Sequence, residues 1–125
     1  MKVISFLNFK GGVGKTTSAH SIAAGLKKKK KKVLVIDMDP QGTLTFFSKG
    51  ERELNGDTRE ILFHEKTIGE AITNGEEFDF IGSNIKLATS ELLLNNGYNK
   101  EQKLKKAIDK MAKDYVYDFI LIDCP

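Results

Sequence analysis

The feature that most constrains this chain is its first 30 residues: a short apolar run, a glycine-rich turn, a lysine–threonine pair and a helix-compatible stretch. Residues 3–7, Val-Ile-Ser-Phe-Leu, read as a fully buried parallel strand. Gly11-Gly12-Val13-Gly14-Lys15-Thr16 follows. Beyond it, Ala19, Ile22, Ala23 and Leu26 recur at helical spacing through residues 15–30. Strand, glycine turn and helix in this order form a phosphate-binding loop. Glycines let the backbone curl so that successive amides point inward at anionic oxygens. The helix N-terminus adds its positive pole at the same place. Lys15 supplies a mobile cation for terminal phosphates, and the Thr16 hydroxyl suits Mg2+, a hard cation that prefers oxygen.

Two further stretches fit that reading. Residues 33–37, Val-Leu-Val-Ile-Asp, form a second buried strand and run into Met38-Asp39-Pro40-Gln41-Gly42. Ligands of an open parallel sheet bind beyond the carboxyl ends of its strands. Alternation along an extended chain puts Asp37 and Asp39 on one side. Between them they can hold water on Mg2+ and aim water at a terminal phosphate. Residues 119–123, Phe-Ile-Leu-Ile-Asp, are a last apolar strand that delivers Asp123 to the metal shell, the Walker B pattern. Between these strands the sequence predicts short helices over 58–64 and 68–73, a strand over 78–81, and helices over 88–94 and 101–113. Gly97 follows the first of these last two helices, and Leu104, Ala107, Ile108 and Met111 share one face of the second. Residues 43–55 are ambiguous: Phe46 and Phe47 suggest a packed loop or a short helix, and are read as core or switch-loop packing rather than as a base-stacking pair.

The alternation implies an α/β fold: a P-loop NTPase-like parallel sheet flanked by helices, in one domain over residues 1–125. With 125 residues, 40% hydrophobic and 30% charged, the chain can bury a core. It has no apolar run near the roughly 20 residues that cross a bilayer. Cys124 is the single cysteine, which excludes an internal disulfide, and the expected location is cytoplasmic. It reads as a small buried residue after the strand. The net charge of +3 comes largely from residues 27–32, a lysine run read as a solvated helix end. His20 and His64 read as ordinary helix positions, since neither has a metal-ligand spacing.

The loop departs from the general pattern. A glycine is usual at position 9, where this chain has Phe9, and a second lysine, Lys10, precedes the glycines. The string Lys10-Gly11-Gly12-Val13-Gly14-Lys15-Thr16-Thr17 resembles the deviant Walker A motif of the ParA/MinD family. Asp39-Pro40-Gln41-Gly42 is similar to the partition (ParA/Soj) branch. Asp123-Cys124-Pro125 and the segments 80–84 and 87–91 also resemble the family, the latter two without an assigned chemical role. The resemblance implies ATP and Mg2+ as cofactors, with the nucleotide on residues 10–17. It implies a nucleotide-sandwich homodimer in which Lys10 reaches the partner's phosphates while Lys15 acts within its own chain. It places Asp39 as the water-orienting residue and Asp37 with Thr16 and Asp123 around the metal. The implied function is an ATPase switch in plasmid or chromosome partitioning. Its expected partners are a ParB-type centromere-binding protein and non-specific DNA, the latter through a C-terminal part absent here, with no membrane.

Family members continue for about as long again. The chain is therefore expected to be an N-terminal part, truncated after the Walker B strand, with that last strand short of a neighbour on one side. The alternatives are a MinD-like cell-division positioning ATPase, which needs a membrane helix, an iron-protein-like reductase, which needs cysteine ligands, and a nucleotide- or partner-binding module without hydrolysis.

Overall fold

The computed structural model describes residues 1–7, 14–93 and 100–125; Phe9, Lys10, Gly11, Gly12, Val13, Leu94 and Gly97 lie outside them. Strand β1 (Lys2–Phe6) leads to helix α1 (Lys15–Lys28) and strand β2 (Val33–Asp37). Three short helices follow, α2 (Thr43–Lys49), α3 (Thr58–Leu62) and α4 (Ile68–Ala71). Then come strands β3 (Thr73–Asn74) and β4 (Asp79–Ile81), helices α5 (Lys86–Leu93) and α6 (Lys100–Met111), and strand β5 (Phe119–Asp123).

The five strands lie in the order β1-β5-β2-β4-β3. Pairing is parallel throughout except at β3, which runs antiparallel to β4 through Thr73–Phe80 and Asn74–Asp79. The sheet is therefore mixed at one end. The helix expected over 68–73 stops at Ala71 because its remaining residues extend into the β3–β4 hairpin.

Side-chain alternation divides the interior in two. On one face Leu34, Ile36, Ile120 and Ile122 pack with Ile61, Leu62, Ile68, Leu87, Leu104, Ile108 and Met111. On the other, Val33, Val35, Leu121 and Phe80 pack with Ala23 of α1 and Leu44 of α2. Every residue of β2 is buried, as a strand covered on both faces requires. Two capping boxes start the short helices, Asp57 with Glu60 on α3 and Thr67 with Glu70 on α4.

Four expectations are corrected. The last strand does not lack a neighbour: β5 enters between β1 and β2 and pairs with both. β1, read from sequence as fully buried, is instead an edge strand, as β3 is at the other end of the sheet, and its Val3 and Ile4 are 47% and 38% exposed. An apolar run specifies burial but not which strand sits beside it, and the return crossover from β4 carries β5 to the centre. Phe46 and Phe47 project from α2 and are 73% and 67% exposed, rather than packed. His64 lies beyond the end of α3 with a φ of 59°, not within a helix. His20 stays in α1, edge-on to Phe78.

Candidate nucleotide site

The parallel strands β1, β5 and β2 end at one level, where Phe6 pairs with Asp123 and Asp123 with Asp37. Helix α1 begins at the same edge. Gly14 stands at its N-cap with φ 80°, a left-handed conformation that strains any residue with a Cβ. Gly14 has no side chain with which to cap α1, and the first turn of the helix holds no acidic residue. A helix start of this kind suits an anion on its amides.

Lys15, Thr16 and Asp123 meet there. Lys15 Nζ lies 2.8 Å from Asp123 Oδ1, with the two side chains 14% and 1% exposed. Thr16 Oγ1 donates to the other oxygen, Asp123 Oδ2, at 2.9 Å. Thr16 and Asp123 are 107 positions apart, and the β1–β5 pairing helps to bring them together. Thr17 is exposed on the first turn.

Asp37 is 1% exposed, one strand over from Asp123. Its Oδ1 accepts from Asp39 N at 3.0 Å, and its Oδ2 accepts from Thr45 N at 3.0 Å and Thr45 Oγ1 at 2.6 Å. Burial pushes its carboxyl up to about 6; the Thr45 and Asp39 hydrogen bonds oppose the rise and the Asp123 charge adds to it. Asp39 is half-buried, with Oδ1 accepting from Gln41 N at 3.0 Å and its carbonyl accepting from Gly42 N at 2.9 Å. Its carboxylate thus holds its own turn rather than touching Lys15 or Asp123. Cys124 is half-buried against the core, and its amide donates to the Phe6 carbonyl.

Two residues without a role in the sequence reading join the site. Thr45 binds Asp37 as described, and Ser83 N donates to Thr45 Oγ1 at 2.8 Å. A third, Thr58, donates its hydroxyl to the Asp37 carbonyl at 2.6 Å. The signals in the sequence are that residue 83 lies two positions past the end of β4, at the same edge of the sheet, and that segment 80–84 resembles the family. Among the described residues no group of three or more His, Cys, Asp or Glu side chains is placed to hold a metal unaided. Among them, too, no helix is long and apolar enough to cross a membrane.

A glycine-led helix start, a lysine, a hydroxyl and a strand-end carboxylate define a P-loop nucleotide-binding α/β protein. The chain matches the family described as an AAA domain (AAA_31) over residues 1–125 and belongs to it. Within it the chain is of the ParA/Soj type: it is 36% identical to the sporulation initiation inhibitor protein Soj of Bacillus subtilis over 127 aligned positions. That alignment covers 99% of this chain and 49% of Soj. A solved structure of a Borrelia burgdorferi plasmid partition protein matches with TM-score 0.82 and 34% identity, over 99% of this chain and 55% of that one. The structure of a Mycobacterium smegmatis cobyrinic acid a,c-diamide synthase, with bound ATP analogue and magnesium, matches with TM-score 0.89 and 35% identity. It is covered to 51%, and this chain to 100%. The chain spans about half the length of the curated relatives it matches.

Proposed function

We propose that this chain carries the nucleotide-binding half of a Mg-ATP-dependent, dimerising ATPase switch that partitions plasmids or chromosomes. The observation that supports it most is the Lys15–Asp123–Thr16 cluster at the start of α1. The cluster fits a magnesium nucleotide. A buried cation and a buried anion neutralise each other, and separating them requires a replacement for each. Phosphate oxygens are the partner for Lys15, and a hard cation is the partner for Asp123 and Thr16. Magnesium, when bound, supplies charge neutralisation at the phosphate oxygens.

The remaining residues take roles around that exchange. The amides of residues 11–17 cradle phosphates, and Lys10 crosses to the nucleotide of the partner protomer. Asp39 orients the attacking water. Asp37 keeps an outer-shell place beside Asp123, its oxygens already held by Asp39 and Thr45. Hydrolysis then releases the dimer. A ParB-type partner completes the water's positioning, so that the protein alone turns over slowly.

Single-turnover phosphate release, with and without the partition partner, tests this. Slow release that the partner accelerates, with a doubling of mass on ATP addition, is the expected result. Fast turnover by an isolated monomer contradicts it. Nucleotide binding with no phosphate release under any condition favours the module without hydrolysis. Release that depends on an added amide-nitrogen donor and a carboxylic-acid acceptor favours chemistry like that named for the Mycobacterium synthase.

A further inference from the structure

Helix α2 begins without a cap of its own. Gly42 occupies its N-cap at φ 65°, so no side chain there accepts from the first-turn amides. The acceptor comes from another element. Asp37, the last residue of β2, receives both the amide and the hydroxyl of Thr45, the third residue of α2. The same hydroxyl accepts from Ser83 N, just past β4. All three residues are buried. One hydroxyl therefore joins α2, β2 and the chain beyond β4. The packing is close: a Cβ on Gly82 would lie 2.8 Å from Thr45 Cγ2.

The tie has a site on one side and a surface on the other. Asp37 is the register partner of Asp123, which holds Lys15 and Thr16. Directly after Thr45 come Phe46 and Phe47, exposed and packed edge-to-face with ring centroids 5.6 Å apart. Oδ2 of Asp37 already accepts two hydrogen bonds, which fills its two lone pairs. Any new donor or cation drawn to that oxygen competes with Thr45.

We propose that Thr45 is a positioning residue that ties α2 to the carboxylates of the nucleotide site, so that a change at Asp123 reaches the exposed Phe46–Phe47 surface. The source of that change rests on the function proposed above; the tie itself does not. Cation arrival beside Asp123 pulls on Asp37, the hydrogen bonds to Thr45 readjust, and α2 shifts with its aromatic pair.

The chain has no tryptophan, so Phe46→Trp places a single indole on α2. In that background Mg-ATP is expected to shift the emission. Thr45→Ser keeps the shift, and Thr45→Val loses it at nucleotide concentrations raised until a separate titration shows each variant saturated. An equal shift in Thr45→Val, or no shift in a protein that binds nucleotide, overturns the coupling. If no nucleotide binds, the proposed function fails and the tie is judged without ligand. There, Thr45→Val should speed hydrogen exchange of the α2 amides about tenfold relative to Thr45→Ser, and equal exchange overturns it. Should Thr45→Val fail to fold, α2 exchange in the unmutated protein with and without Mg-ATP decides. Changed protection supports the coupling and unchanged protection refutes it.

Discussion

Half-buried Lys15 and fully buried Asp123 form an ion pair in which each charge compensates the other. Removing one partner leaves an uncompensated charge and typically costs about 3–5 kcal/mol. Lys15→Met and Asp123→Asn should each destabilise the ligand-free protein on that scale in urea titrations. The double variant should be less damaged than the sum, and additive losses would show that the pair is not coupled. Asp37 makes a separate prediction. Burial pushes its folded carboxyl up to about 6, above the ordinary value of about 3.9. The folded state therefore holds a proton that the unfolded chain has released. The stability this gives is complete below about pH 4 and lost as pH rises through 6, on the order of 3 kcal/mol. Denaturation of the unmutated protein and Asp37→Asn across pH 4–7 checks it. The difference between the two should narrow or reverse as pH rises, and parallel profiles would contradict the assignment.

At the scale of elements, the two glycine-led helix starts matter most. Gly42 at φ 65° is in the left-handed region, where a Cβ costs roughly 1 kcal/mol. Gly42→Ala should lower stability by about that amount, read as a shifted urea midpoint. A neutral result would mean that α2 can begin elsewhere. Much of the site was legible in the sequence because its parts sit at local boundaries. Lys15 and Thr16 follow a glycine turn, and Asp37 and Asp123 each end an apolar strand. Thr45 and Ser83 were not legible. They are 38 residues apart, neither breaks a local pattern, and only strand order places β4 beside β2. The exposure of Phe46 and Phe47 was hidden for the same reason: helical spacing does not say which face finds a neighbour. The edge position of β1 depended on where β5 returned, which no feature of residues 3–7 encodes.

At the scale of the molecule, the sheet separates two cores, and its support is unequal. β2 and β5 have neighbours on both sides, whereas β1 pairs only with β5. Native-state hydrogen exchange should find β1 opening before β2 and β5, in keeping with its exposed Val3 and Ile4. Uniform protection across the three strands would show that β1 is covered in solution. The proposed ligand chemistry sits at the end of the sheet where β5, β2 and α1 converge. The most direct test of that claim is an equilibrium titration of the unmutated protein and Lys15→Ala with ATP, with and without Mg2+. Saturable binding that strengthens with Mg2+ and weakens at least about tenfold in Lys15→Ala is predicted. Binding that is indifferent to both the metal and the lysine would contradict it.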